Sequence, residues 1–165
     1  MYKTWLIITC TFLSFSVFAQ QSDSLIHLLE QETVTKKRVE LLLEIADEFF
    51  YENPSEHQQY AEQAFALIEQ AEIQDDTLRA NALFAMGSSF GVFNDTMQSF
   101  NYFNQTEILA KRIKDSILLV KINGEKGLIY SSLGLDDKAI FHYQTSMKLA
   151  EAINDTSGIA MNANN

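Results

Sequence analysis

Short polar marks punctuate a chain whose apolar positions otherwise follow helical spacing. Leu25, Ile26, Leu28 and Leu29 form a first short apolar stripe that opens at Ser22-Asp23-Ser24, and Thr33-Val34-Thr35 interrupts it. The pattern then predicts helices over roughly 36–52, 56–73, 77–93, 96–113, 117–134 and 137–153, with a last one starting at Thr156. Asp76-Thr77, Asp115-Ser116 and Asp155-Thr156 each precede such a stretch. Side-chain oxygens of Asp, Ser and Thr satisfy the free N–H groups at a helix start, so each mark is expected to be an N-cap. Proline occurs once, at Pro54, and glycine six times, a scarcity of breakers that suits helices and argues against a sandwich or barrel.

The marks are periodic: Asp76 to Asp115 is 39 residues and Asp115 to Asp155 is 40. Gly87 and Gly127 are 40 apart, and Phe90 and Tyr130 follow them by three. Ser99 and Ala139 come twelve after the glycines, and Phe103 and Tyr143 sixteen after. A looser first copy places Ala46, Phe49, Ala61 and Phe65 in the same roles around a longer loop at Asn53-Pro54-Ser55. Small residues let the two helices of a hairpin approach and aromatics fill the gaps beside them. One hairpin cannot bury its own apolar face, so hairpins stack and share a core.

Met86-Gly87, Phe90, Ser99 and Phe103, with Gly127, Tyr130, Ala139, Tyr143 and Ser146, resemble the tetratricopeptide repeat (TPR) family over about residues 36–165. The resemblance implies an all-α fold, an α-solenoid of antiparallel helix hairpins, with repeats at about 36–75, 76–114 and 115–154 and a truncated fourth from 155. Lys126 departs from the leucine usual before the glycine. Asn123 sits where a large apolar residue is usual, as at Leu42 and Leu83. No proline closes a repeat, and the long period implies longer second helices. Asn165 falls two residues short of a fourth glycine position, so the chain is expected to be the N-terminal piece of a longer protein.

Residues 1–19 read as a secretory signal peptide: one charge at Lys3, an uncharged run from Trp5 to Phe18, then Val17-Phe18-Ala19 before the polar Gln20-Gln21-Ser22-Asp23. An uncleaved anchor competes with this, although the run is short for a span of about 20 residues. Cys10 lacks the small residues of a lipidation box before it. Its removal with the leader leaves no cysteine, hence no disulfide and no thiolate ligand. Residues 20–35 form a leading short helix and linker. The formal charge of −10 becomes −11 without Lys3, which disfavours nucleic acid and anionic membranes. Membrane association is expected only through the leader or a downstream span.

Enzymatic chemistry finds no support in the residues. Glycines are single, so there is no phosphate loop, and no His-Glu-x-x-His pair occurs. His27, His57 and His142 fall on three helices without metal-ligand spacing and read as part-exposed. Glu44, Asp47 and Glu48 read as a solvated face, Ser88-Ser89 and Ser131-Ser132 as structural, and Lys36-Lys37-Arg38 as an exposed run. No cofactor or metal is expected.

A surface remains. In the resembled family the first helix of each hairpin lines a concave groove. The carried-over positions are Asn81, Phe84, Ser88, Gly91 and Val92 in the second repeat and Lys121, Gly124, Leu128, Ser131 and Ser132 in the third. The first repeat gives Glu40, Leu43, Asp47, Phe50 and Tyr51. Phe50, Tyr51, Phe84 and Leu128 are candidate anchors for a protein or peptide ligand, or packing contacts between hairpins. Lys121 followed by Glu125 does not reproduce the family's carboxylate clamp. The leader and repeats together resemble the periplasmic N-terminal halves of bacterial signalling proteins that end in a histidine kinase or a DNA-binding regulator. The expected role is a protein–protein interaction scaffold or sensory module. Alternatives are a free periplasmic adaptor or a repeat region joined to a downstream enzyme, and self-association is open.

Overall fold

The computed structural model describes residues 22–165, so the expected signal peptide at 1–19, with Cys10, lies outside the described residues. Those residues form helices and no strand. Helix α1 spans 22–31, and is followed by α2 (Thr35–Phe49), α3 (Pro54–Gln70), α4 (Asp76–Val92) and α5 (Thr96–Ile113). Helices α6 (Ser116–Ser132), α7 (Asp136–Ala152) and α8 (Thr156–Asn164) complete the order.

Five of the helix starts, those of α3, α4, α5, α6 and α8, carry a side-chain cap. Asn53 accepts from the Glu56 N–H ahead of Pro54, whose missing N–H costs nothing at a helix start. Asp95, Asp115 and Asp155 accept from the N–H groups of Gln98, Leu118 and Gly158. The second-repeat cap is Asp75, not the expected Asp76: Asp75 Oδ1 accepts from Thr77 and Leu78. Asp76 is already helical and its carboxylate pairs with Arg112 instead. With Asp75 as the cap, the caps of the hairpin-opening helices at 75, 115 and 155 are evenly 40 apart.

The helix ends repeat at half that interval. The N–H groups of Asp95, Asp115, Leu135 and Asp155 donate to the carbonyls of Phe90, Ala110, Tyr130 and Ala150, the six-to-one bond that closes a helix through a left-handed residue. That residue is Asn94, Lys114, Gly134 or Asn154, at φ 59°, 58°, 68° and 56°. Helix plus turn thus occupies 20 residues each time. The long period is shared by both helices of a hairpin: α4 and α5 have 17 and 18 residues, and α6 and α7 have 17 each.

Consecutive helices joined by such short turns pack as antiparallel hairpins, α2 with α3, α4 with α5 and α6 with α7, and each second helix also packs on the first helix of the next hairpin. The backbones of α2, α4, α6 and α8 approach one another in a row, whereas those of α3 and α5, and of α5 and α7, stay apart, α3 meeting α5 through the Phe65 and Tyr102 rings at 6.3 Å. The inner row is therefore the shorter one, and the stack curves around it. One apolar cluster joins Leu25 and Leu29 of α1 to Val39, Leu42, Ile45, Ile68 and Leu78, and a second joins Leu83, Phe103, Leu118, Ile122 and Ile129.

The small–aromatic pairs interlock face to face. A Cβ on Gly87 would stand 2.7 Å from the Phe103 ring, and one on Gly127 would stand 2.5 Å from Tyr143. Side chains of the second helix also hold the carbonyl at the small position, Ser99 Oγ donating to Gly87 O at 2.7 Å and His57 Nδ1 lying 2.8 Å from Ala46 O. The basic run at the start of α2 is not simply exposed. Arg38 donates to Leu29 O and Glu32 O at the end of α1, and Lys36 pairs with Asp75 at 2.7 Å. That ion pair, with the Leu78 N–H, holds the Asp75 carboxyl below the usual carboxylate range.

Candidate functional site

The inner row leaves a groove of about 450 Å³ bounded by α2, α4, α6 and α8, with the start of α3 at one side. Eight of the carried-over positions meet there: Asp47, Phe50, Tyr51, Phe84, Ser88, Lys121, Gly124 and Leu128. Asn81 and Ser131 are exposed but do not line it. Ser131 hydrogen-bonds Tyr143. Asp47, read from sequence as part of a solvated face, is exposed on the groove wall.

The aromatic side is built at the α2–α3 turn. The Phe50 ring lies edge-on to Tyr51 at 4.7 Å and to His57 at 5.0 Å. Lys121 Nζ stands 5.8 Å from the Phe84 ring centre, a cation over a ring face. Leu128 is 42% exposed and Met161 half-exposed at the mouth.

His57 corrects the reading of a part-exposed histidine: it is 2% exposed, because the longer first-repeat loop turns the α3 start inward against Phe50 and Ala46. A carbonyl can only accept, so Nδ1 carries the proton toward Ala46 and Nε2 is an acceptor in the neutral ring. Nε2 has no partner. Ser88, at 3% exposure, leaves its Oγ unbonded as well. Asn162, at 4%, donates from Nδ2 to Gly158 O at 2.7 Å and leaves Oδ1 unpaired. That oxygen would lie 3.2 Å from a Cβ built on Gly124, so the bare glycine is what admits the α8 side chain. Among the described residues these three are the buried side-chain polar atoms without a partner, and all three belong to residues of this groove. Leaving such an atom unpaired costs about 1–3 kcal/mol, so their convergence is informative.

Glu125, like Met161 and Asn162, is a groove residue that sequence reasoning did not place there. Burial pushes its carboxyl up to about 7, against the opposing charge of Lys121. The native state therefore holds a proton that the unfolded chain, with a carboxyl near 4.5, has already lost. The associated stability is complete below 4.5 and is lost as pH rises through about 7. Allowing for its part-exposed position, Glu125→Gln is expected to raise stability at pH 8 by about 1–2 kcal/mol and to change little at pH 5. Urea melts at the two pH values check this, and an equal gain at both excludes it. A half-buried acid that weakens its own fold fits a place where stability yields to function.

No protein-family model matches the chain, and no curated protein matches it. Among solved structures it is similar to the "Crystal Structure of Rap Protein Complexed with Competence and Sporulation Factor", with a TM-score of 0.77 and 16% sequence identity over 90% of this chain. The chain spans 43% of that structure's length. At this identity the likeness is one of fold, a solenoid of paired helices of the kind that tetratricopeptide-type repeats form.

Proposed function

We propose that the inner groove is the docking site for a segment of another protein, and that the chain is the exported, periplasm-facing N-terminal binding region of a bacterial signal-transduction protein. The observation that carries the docking site is the convergence of His57 Nε2, Ser88 Oγ and Asn162 Oδ1 on one concave surface already lined by Phe50, Phe84 and Leu128. Polar atoms without partners beside apolar anchors match what a peptide supplies: a backbone that can bond to them and side chains that fill the pocket. The similar solenoid was solved with a factor bound, which supports the same use of the fold. Export rests on the charge, apolar run and small-residue end of residues 1–19, and the signalling role on the resemblance of leader and repeats.

The test is selection of a random 12-residue peptide library on the 165-residue chain. Leu128→Glu, at an exposed site, is expected to leave the melting temperature within about 2 °C and to weaken selected peptides at least about tenfold. Peptides that bind both proteins equally would remove the groove from the account. For export, a mature N-terminus at Gln20 after secretion from a Gram-negative host is the expected mass-spectrometric result.

A further inference from the structure

We infer that the groove reads a basic side chain, an arginine or lysine between apolar residues of an extended partner segment. This rests on the docking site proposed above and adds the chemistry of what docks there. The groove is dominated by acceptors. Asn162 Oδ1 can only accept, and His57 Nε2 accepts in the neutral ring; only the Ser88 hydroxyl can act either way. Asp47, Glu125 and Asp155 add three carboxylates. Lys121 is the one lysine or arginine lining the groove, and its ammonium is drawn over Phe84. A ligand carboxylate or phosphate would face those three acids with a single cation to meet it. A guanidinium offers five N–H donors in one plane, or an ammonium three, and either answers the surplus. Phe84, Leu128 and Met161 supply the apolar contact that separates a peptide from a free amine.

Glu125 gives the inference a second readout. The titratable and charged groups around it are Asp47 from α2, His57 from α3, Lys121 on its own helix, Tyr143 from α7 and Asp155 ahead of α8; the α4 wall of Phe84, Ala85 and Ser88 has none. A bound cation favours the ionised carboxylate and expels its proton. With a free-state value of about 7, binding is expected to tighten about tenfold from pH 6 to pH 8.

The experiment sequences the peptides selected on the full chain. Enrichment of arginine or lysine beside Leu, Phe or Met is expected. Replacing that basic residue by citrulline or glutamate is expected to lower affinity at least about tenfold. Glu125→Gln is expected to do the same at pH 8 and to flatten the pH slope, with a cooperative melt no less stable than the parent's showing that the protein is folded. Spermidine, which has charge without apolar flanks, is expected to compete at least about a hundredfold less well. Peptides that lose binding to Leu128→Glu yet show no basic preference overturn this inference and leave the docking site standing. Acidic peptides, indifference to Glu125→Gln, or equal competition by spermidine also overturn it. Failure to select any peptide overturns both.

Discussion

Phe103→Ala is expected to lower stability by about 3–5 kcal/mol, the largest loss for a single side chain in the second hairpin. The ring is fully buried between the bare Cα of Gly87 and the Phe84 ring, whose centre lies 5.7 Å away. Its removal leaves a cavity that two helices held by a short turn cannot close. The partner change has the opposite geometry. Alanine at Gly87 would gain about 1 kcal/mol of helix propensity but drives a methyl against an aromatic ring that has nowhere to go, a net loss of about 1–2 kcal/mol. Combining Gly87→Ala with Phe103→Leu is expected to recover more than the two single effects predict, because a narrower side chain makes room for the methyl. Urea midpoints at constant slope measure all three. A Phe103→Ala loss under 1 kcal/mol, or strict additivity, would contradict this interlock.

The second large effect is asymmetric. Lys126, whose side chain is 7% exposed, places Nζ 2.7 Å from Glu107 Oε2 and 3.0 Å from Asn104 Oδ1, tying α6 to α5. Burial alone would raise the Glu107 carboxyl, but hydrogen bonds from Lys111 and Lys126 outweigh it and hold the group below its ordinary value. Glu107→Ala strands a buried ammonium and is expected to cost about 2–4 kcal/mol. Lys126→Met removes the charge and keeps the volume, and is expected to fall within about 1 kcal/mol of the parent. Glu107 stabilises the fold above the ordinary carboxylate range and ceases to as pH falls through its lowered value, so the gap between the two variants should shrink in acid. Equal losses from both variants would mean that the pair acts as a simple contact.

The sequence announced the repeat because its physics is local. Gly87 and Phe103, or Gly127 and Tyr143, need each other at a fixed offset, and the offset survives in the primary structure. Four of the six paired-helix stretches start and end within two residues of the structure, whereas α2 and α3 each end three residues before the expected bound, because Phe50-Tyr51-Glu52 turns after the first and Ala71-Glu72 after the second, with Glu72 at φ 50°. The half-period was hidden. Its left-handed positions are Asn94, Lys114, Gly134 and Asn154, and no single residue type marks them. The apparent faults in the pattern were compensations: Lys126 found Glu107, and Asn123 Oδ1 found His142 Nδ1 at 3.0 Å. Each partner is 19 residues away on another helix, beyond the reach of a motif. The groove was half legible. Its anchors came from the resemblance, which implies the groove positions, whereas unsatisfied atoms such as Asn162 Oδ1 are defined by what is missing around them, which only assembled neighbours can reveal.

From α2 to α8, no helix reaches past the second one along. Such a molecule behaves like a zipper: teeth close beside teeth, and nothing far away locks them. Disruption travels rung by rung, so amide exchange should form a gradient along the stack in place of one shared rate. A spliced-in 40-residue cassette, bearing its own glycine, ring and caps, would lengthen the trough without rewiring any existing tooth.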